Sequence, residues 1–392
     1  TFSRRLFLLL SLTVFFRLVY HFRSLPSSSS TTTPLHYSRS YSSLPSPGNP
    51  RYCVLYNVHR ATQKLNFTEN QPITLAVHST VNFVHFITNQ LPYWTGPISL
   101  ALYVDYTTAK LLPLLLRVFN CNDELSYRVS LHVVFEKAPF TSECPSSQLH
   151  LSDLSCNGTM MKHFRKISDG YPPPFAEYPI NTMRNTARRG AQTDLHFVVD
   201  IEMEFSYNFH NTVVDVANEL VNENTRNALV IRRFELVNGA KVPRTVEELS
   251  TMIRDRKVFE FHHAIFPIGH RIQGLFFWLK SSTNESDPHA IPTEYAGKSW
   301  EPQVILHRSH PYNDEFIPVR FKDQQVLIYE LCRAEFEFTV ATHVFNVHKG
   351  VRKEHSPMEK SVLIANRRGI FKALKRYKNR IDSTYPLTKF SS

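Results

Sequence analysis

The chain has 392 residues, enough for two average domains or one large α/β unit. With 42% hydrophobic residues, 29 Phe, 17 Tyr and only 11 Gly, its composition excludes the fibrous and disordered classes and allows a substantial core. The formal charge of +11 is concentrated late, since eleven Lys and Arg between Lys349 and Arg380 face only two acids, Glu354 and Glu359. Such a run reads first as the solvated face of a basic helix. Its two aromatic residues, Phe371 and Tyr377, are too few for a base-stacking surface, which argues against nucleic acid as a partner.

In chain order, Arg4 and Arg5 precede an apolar run over residues 6–16, which Arg17 interrupts before the run resumes to Phe22. Residues 1–23 are read as a signal anchor, with Arg17 snorkelling to the interface and the positive residues on the cytoplasmic side. A cleaved signal peptide is the competing reading, although no small-x-small cleavage site follows. Residues 24–50, rich in Ser, Thr and Pro, cannot bury a core and are expected to be a stem. Residues 51–392 form the expected globular domain. Anchor, stem and globular domain in that order describe a single-pass type II membrane protein with a lumenal domain. Three sequons fit that address, at Asn66, Asn157 and Asn284. Of the five cysteines, Cys144 and Cys156 are close enough in sequence for a local disulfide, and no CxxC pair points to zinc.

Apolar runs of strand length follow at residues 73–79, 98–104 and 129–135, the second after the turn signal Thr95-Gly96-Pro97. Helix-length stretches lie between them, at 80–91 and 107–119. Further strands are expected at 195–199, ending at Asp200, and at 228–234. Thr245-Val246-Glu247-Glu248 is a capping box opening a helix to about Arg254. Strands alternating with helices predict an α/β fold with a parallel, nucleotide-binding type of sheet.

Asp200 and Glu202 close an apolar strand. Side chains two apart in a strand share a face, so the two carboxylates can converge on one ion while Ile201 turns inward. The carboxyl end of a parallel strand is where open α/β sheets bind ligands. Paired hard oxygen ligands suit Mg²⁺ or Mn²⁺, which bridge carboxylates to diphosphates. Just upstream, Asn181, Arg184, Asn185 and Arg188 recur at spacings of three and four and so share one helical face. Arg forks match phosphate oxygens and Asn amides match sugar hydroxyls, so this face is expected to meet a nucleotide-sugar.

The stretch from Tyr178 to Met203, YPINTMRNTARRGAQTDLHFVVDIEM, resembles the core signature of glycosyltransferase family 49. That family includes a β-1,4-glucuronyltransferase and the second catalytic domain of LARGE-type xylosyl/glucuronyltransferases. Four further elements resemble the family in order. They are Trp94-Thr95-Gly96-Pro97-Ile98-Ser99, Glu301-Pro302, Pro311-Tyr312-Asn313-Asp314-Glu315-Phe316, and the late Val344-Phe345-Asn346-Val347-His348-Lys349-Gly350. Together they cover about residues 70 to 380.

The resemblance implies a GT-A-type fold, a Rossmann-like and mostly parallel central sheet flanked by helices. It implies inverting transfer of a sugar, glucuronic acid above all, from a UDP-sugar to a glycan or glycoprotein acceptor in the Golgi. It also implies Mn²⁺ held by Asp200, Glu202 and His348. Asn181, Arg184, Asn185 and Lys349 are expected at the donor, and Asp314 as general base, with Glu315 and Asp323 as competitors. The basic C-terminus would suit an acidic glycan. The sequence departs from the family where Glu202 replaces the usual Asp, where residues 318–324 replace a Gly-Tyr-Gly-x-Asn-Lys stretch, and where Asn313-Asp314 shifts a Tyr-Asp pairing by one. These departures keep open an inactive lumenal scaffold or glycan-binding protein on the same fold.

Overall fold

The computed structural model describes residues 38–150, 154–174 and 178–387; the expected anchor and the first part of the expected stem lie outside the described residues. From Ser38 onward the stem reading gives way to strand. β1 (Ser38–Ser42) and β2 (Leu44–Pro45) precede β3 (Tyr52–His59), to which β2 is paired. Ser46 and Asn49 are buried, and their side chains donate to Glu315. Composition misled here because Ser and Pro serve tight strand connections as well as linkers.

The apolar runs form β4 (Ile73–Thr80), β5 (Ile98–Tyr103), β6 (Val129–Glu136) and β8 (Leu195–Asp200). These four pair in parallel, in the order β8-β4-β5-β6, and are buried over most of their length. Parallel strands covered by helices on both faces read as such unbroken hydrophobic runs. β7 (Ser146–His150) pairs with β1 apart from this sheet.

Beyond β8 lies β13 (Gln303–His307), antiparallel to it, then β10 (Asn227–Leu236) and the long β14 (Glu337–Lys349), parallel to each other. The central sheet is therefore mostly parallel, with β13 reversed inside it and β3 running antiparallel beside β6, as the GT-A resemblance implies. β9 (Glu204–Phe205) and β12 (Ala290–Thr293) pair with β14, and β11 (Val258–Glu260) pairs with β10.

Helices cover both faces. α1 (Leu112–Asn120) packs its Leu115 and Phe119 into the larger core, with Phe197 and Val199 of β8. α2 (Ile180–Gly190) lies across the other face of β4, β5 and β6, where Met183 and Ala187 meet Ala76, Ala101 and Val198. α3 (Gln325–Arg333) and α4 (Pro357–Thr384) follow. α4 is the predicted basic helix, opened by a capping box at Ser356 and Glu359. Arg376 and Arg380 on α4 pair with Asp314, and Arg380 also pairs with Glu330 on α3. Among the described residues no helix is long and apolar enough to cross a membrane.

The disulfides join Cys53 to Cys144 and Cys121 to Cys156, which corrects the local Cys144–Cys156 expectation. Sequence proximity lost to topology, because each bond ties a main element, β3 or the end of α1, to the 137–157 excursion. Cys332 is buried and stands outside both bonds.

Candidate active site

Side chains alternate along β8. Leu195, Phe197 and Val199 enter the larger core, followed by Ile201, while Val198 and Asp200 face the α2 side. Asp200 therefore leaves the sheet at its carboxyl end, beside His78 of β4 in the parallel register. Arg233, from β10, donates to Asp200 Oδ2 at 2.6 Å and spreads over the Phe261 ring, 3.4 Å from its centroid. Burial alone would raise the pKa of Asp200, but the guanidiniums of Arg233 and Arg184 outweigh it and hold the carboxyl well below the usual range. His78 is buried and neutral, its pKa lowered to about 4 by burial and by Arg184. Its Nδ1 meets the Tyr178 hydroxyl at 2.7 Å. Its buried Nε2 has no hydrogen-bond partner and lies 3.7 Å from Asp200 Oδ1.

Glu202 keeps 39% of its side-chain surface, but it sits in a crowded cleft. Its pKa is raised to about 7, first by burial and then by the charge of Asp200. His348, near the end of β14, stands 4.0 Å from it. His348 Nδ1 meets the Gly350 carbonyl at 3.1 Å, which in the neutral tautomer leaves the Nε2 lone pair turned to Glu202. Burial, then Arg233, lowers the pKa of His348, so neutral imidazole dominates at pH 7. Two carboxylates in mutual repulsion and an imidazole aimed at one of them are the right donors for a divalent cation. Among the described residues, no three His, Cys, Asp or Glu side chains stand close enough to hold one as they are placed. The set fits a divalent cation in its donor types, without standing as a preformed site.

The polar face of α2 has a different use. Asn181 donates to the carbonyls of Asp314 and Asp323, at 3.0 and 2.9 Å, and accepts from Arg184. Asn185 donates to the Asn313 carbonyl and to Glu315 and accepts from the Asn313 N–H. Arg188, fully buried, donates to the carbonyls of Pro311 and His307 and stacks on Tyr312. The face holds the 307–323 loop, so the amides of Asn181 and Asn185, expected at the donor, are spent here on protein partners. Only Arg184 also acts on Asp200, through its charge.

The carboxylates expected as general base are engaged as well. Asp314 is buried, accepts from the Phe316 N–H and pairs with Arg376 and Arg380. Glu315 is enclosed by Ser46, Asn185 and Arg189. Asp323 is paired with Arg184 at 3.3 Å. Lys349, one residue after His348 in a strand, points the other way and binds Glu204 at 2.6 Å.

Several residues at the cleft carried weaker signals. His78 and Arg233 are polar residues within apolar runs, which was the available clue. Phe261 joins Arg233 to His348, with ring centroids 5.6 Å apart. Beyond it, His262 Nδ1 meets His270 Nε2 at 3.0 Å, and that nitrogen lies 3.0 Å from Glu301. Gln325 donates to the other oxygen of Glu301 at 3.3 Å. In the loop that lacks the family's glycines, Arg320 and Lys322 both take left-handed backbone, with φ of +70° and +57°. Arg320 and Arg352 share the Glu359 carboxylate.

Residues 72–386 match the family described as glycosyl-transferase for dystroglycan. The chain belongs to this glycosyltransferase family. It is 25% identical to beta-1,4-glucuronyltransferase 1 of Danio rerio over 315 residues, covering 76% of this chain and 73% of that protein. It is 23% identical to xylosyl- and glucuronyltransferase LARGE1 of Mus musculus, over 71% of this chain but only 31% of that protein. The glycosyltransferase thus spans about a third of the length of its LARGE1 relative. Among solved structures, S. aureus TarS 1-349 overlaps 81% of the chain and 67% of its own, with 10% identity and a TM-score of 0.40. GalNAc-T7 with UDP, GalNAc and Mn²⁺ overlaps 82% of the chain and 59% of its own, with 9% identity and a TM-score of 0.41.

Proposed function

We propose that the chain transfers glucuronic acid, with inversion, from a UDP-sugar to a glycan or glycoprotein acceptor, and that it depends on Mn²⁺. The observation carrying this reading is the donor set at the carboxyl end of β8, Asp200 with a Glu202 whose pKa is raised to about 7 and a neutral His348. A Mn²⁺ ion held by these three would supply positive charge at the leaving diphosphate. Arg233 keeps Asp200 oriented through Oδ2 and leaves Oδ1 without a hydrogen bond among the described residues, 3.7 Å from His78 Nε2. Arg184 adds fixed positive charge behind it.

For the general base we replace Asp314 by Glu301. A base must release the acceptor proton onward, and a carboxylate locked in a buried guanidinium pair is poorly placed to do so. Glu301 instead meets the imidazole of His270 and the amide of Gln325, with no guanidinium among the described residues holding it. We place the protein in the Golgi membrane as a single-pass type II protein. The two disulfides support an oxidising compartment. So do the exposed sequons at Asn66 and Asn157, whose Thr hydroxyls donate to the Asn carbonyls at 2.8 and 2.7 Å.

The test is a panel of UDP-sugars given to the purified chain with Mn²⁺, scored for hydrolysis and for transfer to glycans. UDP-glucuronate turnover that EDTA abolishes is expected. No turnover together with no UDP-sugar binding would favour an inactive scaffold.

A further inference from the structure

A cavity of about 700 Å³ opens away from the carboxyl end of the sheet, at the opposite edge, where β3 ends, α2 ends and the loop into β8 begins. Arg308, on its wall, directly follows β13 and takes its backbone register from Asp194, just before β8. Six strand residues at about 3.3 Å each put this edge about 20 Å from Asp200.

Three arginines line the cavity, from three separate segments, and no acid does so. Arg60 is exposed and makes no hydrogen bond or ion pair among the described residues. Arg189 spends one nitrogen on the buried Glu315. Arg308 bridges to Asp194 at 3.0 Å and donates through Nη2 to two carbonyls, leaving Nη1 unspent. Asn57 is held open by its backbone. It takes a left-handed conformation, φ +54°, while its N–H donates to the buried His132 at 2.9 Å. Burial lowers the pKa of His132 to about 3, so its neutral ring can accept that bond. The amide of Asn57 has no protein partner among the described residues. Tyr56 and the exposed Phe67 add flat apolar faces.

Unspent guanidinium and amide groups, aromatic faces and a volume in the range of ligand cavities form a binding site that the transfer chemistry does not use. Its charge selects an anion, and guanidinium forks suit carboxylates. Positive groups spread over three segments suit charges repeated along a chain better than a single phosphate. We propose that this cavity binds an acidic oligosaccharide bearing uronate carboxylates, at a site separate from the Asp200 centre. The choice of a sugar ligand rests on the glycosyltransferase family, not on the proposed donor or metal.

The test measures binding of an unsulfated hexasaccharide of alternating glucuronate and N-acetylglucosamine to the full chain by calorimetry, without donor or metal. Arg60→Glu, at an exposed residue with no protein partner, is expected to weaken binding about tenfold or more. Phe67→Ala is expected to weaken it severalfold and leaves the Asn66 sequon intact. Asp200→Asn is expected to leave it unchanged, so loss of transfer activity in that variant is read independently. The proposal is overturned by no binding to the unaltered chain, by equal binding of a neutral hexasaccharide, or by binding lost in Asp200→Asn and kept in Arg60→Glu. Competition by millimolar sulfate as effective as by the hexasaccharide would also overturn it, since the site would then hold only small anions.

Discussion

The polar face of α2 and the carboxyl end of β8 look equally functional on paper, and the fold treats them in opposite ways. Asn181, Asn185 and Arg188 are buried and use their amides and guanidinium on the protein's own backbone. Asp200, Glu202 and His348 stay partly exposed, with mismatched charges and groups still turned to the cleft. A buried polar group whose bonds are satisfied internally is scaffolding, and its removal costs stability. A polar group left short of partners is where a ligand can act.

Substitutions can break this contrast. The largest effect is expected from Asp200→Asn, a fall of about 10³-fold in turnover, with a smaller change in urea midpoint than the α2 variants show. Glu301→Gln should lower turnover about 10²-fold, whereas Asp314→Asn should act on stability through its lost pairing with α4; steady-state kinetics beside urea titration separates the two. Arg188→Ala should cost about 3 kcal/mol of stability by urea unfolding while the folded fraction keeps its kcat within a few-fold. That variant losing turnover first would erase the distinction.

The pH dependence sharpens the site side. A cation binds the deprotonated Glu202, so Mn²⁺ affinity should fall about tenfold per unit as pH drops below about 7 and level off above it. Calorimetry in two buffers should find one proton released on binding at pH 6, and Glu202→Gln should flatten the slope. In the metal-free chain the sign is reversed. With a folded pKa raised from 4.5, Glu202 gives stability that is full below about pH 4.5 and lost as pH rises through about 7. The smallest effect is expected from Lys349→Ala, less than threefold in turnover, because its ammonium serves Glu204.

Much of the fold was legible because burial on both faces writes itself as unbroken apolar runs. Those runs located β4, β5, β6, β8 and β10 to within a few residues. The inward turn of Ile201 followed from strand alternation, and the same rule would have turned Lys349 away from His348. The partners of α2 were not legible, since a helix face reads the same whether water or a loop 120-odd residues later covers it. Nor were the disulfides, which follow sheet neighbours rather than chain distance. The arginine-lined cavity draws on three segments, none of which carries a motif alone.

The loop around Phe321 sets charge against conformational ease. Arg320 and Lys322 bend as glycine bends, each with a Cβ in a region that costs an L-residue about 1 kcal/mol. Two cations are thus carried on backbone that glycine would adopt freely, and Arg320 spends its charge on Glu359 of α4. Glycine at either position would remove a charge and relax the chain together.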